Sequence, residues 1–499
     1  HFGLRHGIGA VQDHISQASL ATAMSLSRSP LPTGIAISAK ACKGLHPWQA
    51  LEQSKHDPPG HMRIYFPHWV GLGPFVMLGE ALRLRHRSRR RRSALMAKED
   101  SHESTAAQSE QYSVSNGRTY FNFTGFPFPL GPLFQRRTLR TRVGDGIWTF
   151  EQEQSLLNVS VNVRMTAIRL EDDTLWIHNP IAPTKECVAL VNELGYPVRY
   201  IVLGSAQYEH KVFVGPFSRR WPEATVYTVP QQWSWPLDLP SLFYGINGVE
   251  LLEEETAPWA AEIDQRLLAP KERLGLVGYS GSECAFFHMK SQTLLCTDAL
   301  VFVPEEPPDV LDKRELMDLG RTFGQFFLDL LVLSDWQGSG EYVRNAQQAD
   351  SKSKPKTETE LIRTGWQRNA LWALFLGPDG RSIINSEQAF NAIAGSWIIG
   401  PVCYALVYSG KFRQEVAAWA ESMCEWDVQQ IIPCHFAGPV RGTRDDIRRA
   451  FEVLRPGVNV TRKPDLELPW PFPRPIRYRP EDFKLLSDIT TTLRDLNAL

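Results

Sequence analysis

The chain has 499 residues, of which 43% are hydrophobic and 22% charged, and this suits one large or two smaller globular domains. Its formal net charge of −1 argues against a general electrostatic affinity for nucleic acids or acidic surfaces. The seven cysteines are scattered and form no CxxC pair, which favours a reduced compartment over a disulfide-stapled secreted domain.

Residues 1–111 are predicted to be a leader followed by a linker. Residues 1–97 hold 13 Lys and Arg against 4 Asp and Glu, and an arginine cluster occupies residues 83–92. Arg-rich, Ser-rich and acid-poor leaders are typical of organelle transit peptides. The arginine cluster leaves binding to nucleic acid or to anionic lipid as alternatives, and the leader-like composition favours a transit region.

Residues 112–463 are predicted to form the main domain. Alternating apolar and polar residues predict strands at 159–170, 174–178, 199–203 and 224–229, and a hairpin is predicted over 285–288 and 293–303. Thr184 is placed to cap a helix over 185–194. Strands that alternate with helices predict an α/β architecture.

The later part of the chain is predicted to be mainly helical. Apolar spacing predicts helices at 314–334, 366–376, 387–408 and 412–426, and a late strand at 428–433. The polar segment 337–364 is predicted to be a disordered insertion. Residues 464–499 form a Pro-rich tail that ends in a helix over 480–496. No transmembrane helix is expected, because Gly400 and Pro401 interrupt the most apolar stretch.

The segment Gly278-Tyr279-Ser280-Gly281-Ser282, followed by Asp298, resembles the glycine and aspartate motifs of metallo-β-lactamases. That resemblance implies an αβ/βα sandwich in which loops at strand ends hold two divalent ions that activate a shared water molecule. Tyr279 stands where the family has a metal-binding histidine.

The resemblance extends to the other ligand positions. Ser205, Gln207 and Tyr279 replace the three histidines of the first metal position. The second position keeps a complete set of ligand types, with a glutamate in place of the family's aspartate: Glu209, His210, Asp298 and His435. Two imidazoles and two carboxylates suit a single zinc, iron or manganese ion. The alternative is a vestigial pocket, in which the histidines only form hydrogen bonds and Asp298 caps a turn.

Several other polar residues are weaker candidates. His288 is a possible further ligand, and for His178 a turn role of the adjacent Asn179-Pro180 is favoured over catalysis. The basic residues Lys211, Arg219 and Arg220 either bind an anionic substrate or a partner, or are solvated on a helix.

Longer motifs resemble a plant and algal plastid "domain of unknown function" family that is related to metallo-β-lactamases. They lie at residues 179–186, 208–218, 232–236, 293–299 and 431–437, within a resemblance that covers roughly 145–450. The resemblance implies the same sandwich and a plastid location, in the stroma or associated with thylakoids.

Three functions remain open on this basis. The leading prediction is a plastid accessory or structural protein, a pseudoenzyme without turnover that associates with a thylakoid protein complex. The second is a mononuclear metal-dependent hydrolase or oxidoreductase that acts on a small plastid metabolite. The third is a module that binds an anionic ligand or a pigment in the vestigial pocket. No nucleic-acid partner is expected, and the sequence names no small-molecule ligand.

Overall fold

The computed structural model describes residues 118, 136–156, 159–232, 240–252, 257–272, 281–321, 357–379, 382–383, 385–461 and 478–495. These residues all belong to one compact unit, Gln108–Leu499. The predicted leader 1–111, most of the insertion 337–364 and most of the Pro-rich segment 464–480 lie outside the described residues.

A seven-stranded mixed sheet forms the first layer. Its strands are β1 (Thr138–Gly144), β2 (Ile147–Leu156), β3 (Val159–Arg169), β4 (Leu175–His178), β5 (Val198–Leu203), β6 (Thr225–Thr228) and β7 (Val249–Leu251), in that spatial order. The strands from β1 to β4 pair antiparallel, and those from β4 to β7 pair parallel. The strands predicted at 159–170, 174–178, 199–203 and 224–229 are confirmed, whereas the β1–β2 hairpin was not predicted.

A second, five-stranded sheet contains the later strands. Its members are β8 (Ile263–Leu268), β9 (Glu283–His288), β10 (Thr293–Cys296), β13 (Gln430–Pro433) and β14 (Val440–Arg441), in the order β14-β13-β10-β9-β8. Strands β10 and β13 are parallel, and β9 and β10 form the predicted hairpin. The end of that prediction is wrong, because β11 (Val301–Phe302) leaves the hairpin and pairs with β12 (Trp397–Ile398).

Helices cover the outer faces of the sheets. They are α1 (Lys185–Asn192), α2 (Tyr208–Lys211), α3 (Val214–Ser218), α4 (Lys313–Arg321), α5 (Glu358–Phe375), α6 (Ser386–Asn391), α7 (Pro401–Cys403), α8 (Arg413–Met423), α9 (Arg444–Phe451) and α10 (Pro480–Asp495). Thr184 caps α1 as predicted, since its side chain accepts a hydrogen bond from the Cys187 amide. In the part of the chain that is described, no helix has the length and apolar character needed to span a membrane.

Two predictions about the helical part of the chain need correction: the helix at 387–408 and the insertion at 337–364. The predicted helix 387–408 is divided into α6, strand β12, α7 and a π-helical turn at Tyr404–Tyr408. Gly395 has a φ of 69° and Pro401 starts α7, and both residues interrupt a continuous helix. The predicted disordered insertion extends too far, because a capping box between Thr357 and Glu360 begins α5 within it.

Alternating side chains show how the layers pack. In β9, Cys284 and Phe286 join a core cluster with residues of the first sheet, such as Trp176 and Val202. Their neighbour Phe287 faces the other way, toward helices of the second layer. A third cluster packs helices α1 and α3 on the outer face of the first sheet. The molecule is therefore the predicted αβ/βα sandwich.

Candidate metal centre

The four predicted ligand residues lie together at one edge of the sandwich. Glu209 and His210 belong to α2, which follows β5, whereas Asp298 follows β10 and His435 follows β13. One ligand atom from each residue lies within 4.8 Å of all the others. The carboxyl ends of parallel strands thus converge here, as they do around many ligand sites of α/β proteins.

Three of the four ligand atoms form an almost equilateral triangle. Nε2 of His210 and Nε2 of His435 lie 3.3 and 3.2 Å from Oδ1 of Asp298, and the two Nε2 atoms are 3.2 Å apart. Ligand atoms of a tetrahedral zinc site, with bonds of about 2.0–2.1 Å, are separated by roughly 3.3 Å. The spacing therefore fits a divalent transition-metal ion.

The orientation of His435 strengthens this fit. Its Nδ1 lies 2.8 Å from the backbone oxygen of Asn162. A carbonyl only accepts hydrogen bonds, so Nδ1 carries the proton, and in the neutral ring the Nε2 lone pair points toward Asp298 Oδ1. Two acceptor atoms at this distance need a proton or a metal cation between them. Metal-binding histidines in proteins use the same carbonyl contact on the other ring nitrogen.

The electrostatics of the buried residues follow from these contacts. Burial raises the pKa of Asp298, but the charges and hydrogen bonds of the two imidazoles outweigh burial and hold it well below its usual range. Burial lowers the pKa of His435, and Asp298 outweighs this and raises it. For Glu283, burial and then the charge of Asp298 raise the pKa to about 8. The two imidazoles therefore favour the ionised form of Asp298.

Ser205 contacts the other oxygen of Asp298. The Ser205 hydroxyl lies 3.3 Å from Asp298 Oδ2, and it also accepts a hydrogen bond from the Gln207 amide at 3.1 Å. Ser205 and Gln207 are two of the residues that replace family histidines, and Tyr279, the third, lies outside the described residues. The substituted serine thus leaves only Oδ1 of Asp298 directed at the two imidazoles.

The loop that carries His435 is held by β3, which the sequence did not indicate. Asn162 accepts a hydrogen bond from the Phe436 amide at 2.7 Å and donates one to the Phe436 carbonyl at 2.9 Å. Arg164 donates to the same carbonyl at 2.7 Å and pairs with Glu151 at 2.7 Å. Both side chains are about 1–2% exposed. Two polar residues within a strand buried on both faces were the signal that could have identified them.

Asn179 joins the ends of several strands beneath the centre. Its side-chain amide donates to Thr297 Oγ1 at 2.9 Å and to Cys434 Sγ at 3.0 Å, while its oxygen accepts from the Gly204 amide at 2.8 Å. Its φ of 49° places it in a turn. The turn role predicted for Asn179 agrees with these contacts.

The two other histidines do not belong to the cluster. His178 is fully buried, and burial, followed by the charge of His210, lowers its pKa to about 3, so the ring is neutral. Within the described structure its Nε2 has no hydrogen-bond partner. His288 lies at the far end of β9, where its Nδ1 is 2.7 Å from the Ser291 hydroxyl.

The basic residues near the centre differ in exposure. Arg219 and Arg220 are exposed, as expected for solvated residues. Lys211 is buried, and its Nζ lies 5.5 Å from the centre of the Tyr244 ring. Burial excludes the solvated environment for Lys211, and anion binding by this residue stays a prediction.

This αβ/βα sandwich, with histidine and carboxylate side chains gathered at its strand ends, has the class of fold found in metallo-β-lactamase-like proteins. Within that class, the chain belongs to the family described as "Domain of unknown function (DUF4336)", whose model matches residues 144–394 and 383–453. A comparison with curated protein sequences gives no significant match. The family assignment agrees with the sequence resemblance to a domain-of-unknown-function family, and the plastid location stays a prediction.

Solved structures with a similar arrangement share little sequence. The Flv1 flavodiiron core from Synechocystis is 10% identical with a TM-score of 0.35, and a flavo-di-iron protein from Thermotoga maritima is 8% identical with a TM-score of 0.32. Each similarity covers 64% of this chain, which spans about 61% of each flavodiiron chain. A metallo-β-lactamase from Pontibacter korlensis is 11% identical with a TM-score of 0.25, over 46% of this chain and 97% of that one.

Proposed function

We propose that the chain is a mononuclear metal-dependent hydrolase that acts on a small metabolite. The triangle of His210 Nε2, His435 Nε2 and Asp298 Oδ1 carries this proposal, because its 3.2–3.3 Å edges match the spacing of ligands around one ion. Glu209, which is half-buried, supplies the fourth ligand group, a second carboxylate within 4.8 Å of the other three. Such a set suits zinc, iron or manganese.

The contacts of Asp298 support one ion and not two. In a two-metal site this aspartate bridges the ions, whereas here Ser205 donates a hydrogen bond toward its Oδ2 at 3.3 Å. Ser205 and Gln207 also offer no imidazole for a second ion. A resident divalent ion would supply Lewis acidity and lower the pKa of a water molecule toward neutrality.

Metal content and activity test the proposal together. Protein spanning residues 112–499 would be stripped with a chelator, reconstituted with zinc, manganese or iron(II), and measured by elemental mass spectrometry. We expect one equivalent in the wild type and none in His210→Ala/His435→Ala, with metal-dependent hydrolysis of chromogenic ester or phosphodiester probes. His288→Ala is the matched control and should keep the ion. A folded wild type without stoichiometric metal would refute the proposal.

A second candidate is the plastid accessory role in a thylakoid assembly. Two neighbouring apolar side chains support it, because Leu242 and Phe243 in the turn Ser241–Tyr244 are 65% and 62% exposed. Exposed apolar groups of this kind are common at protein interfaces. The Arg-rich leader supports a plastid address.

Two measurements test this second candidate. Residues 1–111 fused to a fluorescent protein should direct it into plastids. In native gels of solubilised thylakoids, the full chain should migrate with a large complex, and Leu242→Ser/Phe243→Ser should release it. Migration of the wild type as a free monomer would exclude this role.

A further inference from the structure

Glu283 holds the backbone that carries the proposed metal ligand Asp298. Glu283 is the first residue of β9, and it is 2% exposed. Its Oε1 accepts hydrogen bonds from three consecutive backbone amides, those of Thr297, Asp298 and Ala299, at 2.9, 3.0 and 3.2 Å. These contacts fix the orientation of the loop in which Asp298 lies.

The second oxygen of Glu283 is held from another element. The Tyr408 hydroxyl donates to Oε2 at 3.0 Å, and Tyr408 is the last residue of the π-helical turn Tyr404–Tyr408. Tyr408 is 2% exposed, so this contact is shielded from water. Single π-helical turns within helices are often found at functional sites, where they redirect a side chain.

Glu283 also pairs with Ser205, the residue whose hydroxyl contacts the Asp298 side chain. Ser205 and Glu283 form an isolated β-bridge, and the Cys284 amide donates to the Gly204 carbonyl at 2.8 Å. Ser205 contacts Asp298 Oδ2, while Glu283 contacts the Asp298 amide. The aspartate is therefore fixed from both its backbone and its side chain, and Oδ1 is left facing the imidazoles.

We propose that Glu283 and Tyr408 are positioning residues for the metal ligand Asp298. This inference rests on the proposed mononuclear metal centre. Glu283 orients the ligand loop, and Tyr408 orients Glu283, so neither residue needs to touch the ion. Outer-shell residues of this kind typically change metal affinity by roughly 10–100-fold when they are replaced.

Cobalt(II) binding to the full chain is the test, because visible d–d bands report ligand geometry independently of fold stability. Tyr408→Phe removes only a hydroxyl, and Glu283→Gln keeps an acceptor oxygen for the three amides. Glu283→Ala removes that oxygen. Tyr478→Phe is the matched control, since it removes a buried tyrosine hydroxyl that donates to the Ile399 carbonyl at 2.5 Å.

We expect cobalt affinity to fall about tenfold in Tyr408→Phe and more in Glu283→Ala, with altered d–d bands. Glu283→Gln should stay within about threefold of the wild type because the acceptor is retained. If Glu283→Ala does not fold, the Tyr408→Phe spectrum decides. Wild-type affinity and bands in Tyr408→Phe, or an equal loss in Tyr478→Phe, would overturn the positioning role while the metal centre stands. A wild type that binds no cobalt would overturn both.

Discussion

The backbone oxygen of Asn162 lies 2.8 Å from Nδ1 of His435, although 273 residues separate them in the chain. This contact fixes the tautomer of the imidazole and directs its Nε2 to Asp298. Strand β3 of the first sheet thereby orients a ligand that follows β13 of the second sheet. The candidate centre consequently depends on the packing of the two sheets against each other.

The side chain of Asn162 should affect both stability and metal binding. Asn162→Ala removes both of its hydrogen bonds to Phe436, so we expect a loss of about 2–4 kcal/mol in the free energy of unfolding. The His435 loop loses its anchor, and metal affinity should fall roughly tenfold or more. Urea denaturation and metal titration measure the two effects.

Asn369→Ala is the matched control for that variant. Asn369 forms the same pair of hydrogen bonds with the Ser160 backbone, at the start of the same strand. It should lose similar stability and keep the affinity of the wild type for metal. Equal losses of affinity in both variants would show that Asn162 acts only through stability.

A bound ion should stabilise the folded protein by mass action. Since the unfolded chain lacks the assembled ligand set, free zinc at 100 times its Kd adds about 2.7 kcal/mol to the free energy of unfolding. Thermal denaturation with and without zinc measures this. The shift in Tm should disappear in His210→Ala/His435→Ala and persist in His288→Ala. A shift of the same size in the double variant would place the zinc elsewhere.

Gly204 is predicted to tolerate no side chain. A Cβ at this position would lie 2.5 Å from His178 Nε2 and 3.1 Å from Thr297 Oγ1. Because both neighbours are buried, Gly204→Ala should cost about 1–3 kcal/mol of stability. Gly144→Ala is the control, since nothing lies within 4 Å of its Cβ. Denaturation midpoints compare the two, and an unchanged midpoint for Gly204→Ala would show that His178 moves freely.

The cap of α9 should make a pH-dependent contribution to stability. Burial raises the pKa of Asp446, but hydrogen bonds from Thr443 and Arg449 outweigh burial and lower it. A depressed folded-state pKa means that the stabilisation is present above the unfolded pKa of about 3.9 and is lost as the pH falls below it. Asp446→Asn should therefore be less stable than the wild type at pH 7, and the difference should shrink as the pH falls from about 4 toward 2. If the difference in stability between the two proteins stayed constant across that pH range, the effect of Asp446→Asn would arise from packing and not from the lost charge.

Strands β3 to β6, the β9–β10 hairpin and β13 could be predicted from local sequence patterns, and the four ligand-type residues from the family resemblance. Alternation of apolar and polar residues marks β3, and the resemblance to the metallo-β-lactamase motifs marks Glu209, His210, Asp298 and His435. The contacts made by Asn162 and Glu283 could not be predicted, since each joins segments that are distant in the chain.

The apolar run at 387–408 shows a different limit of predicting secondary structure from sequence. Buried helix, buried strand and π-helical turn all need apolar residues there, and hydrophobicity alone does not distinguish them. Strand β12 forms within it because β11 offers a pairing partner from residues 301–302. That partner is decided by tertiary structure.

X-ray absorption at the zinc edge of the reconstituted protein tests the central claim most directly. A mononuclear centre predicts one zinc per chain with two imidazoles and carboxylate oxygens at about 2.0–2.1 Å, and no metal–metal scattering. A metal–metal distance of about 3.5–4 Å, or a zinc without imidazole ligands, would contradict it.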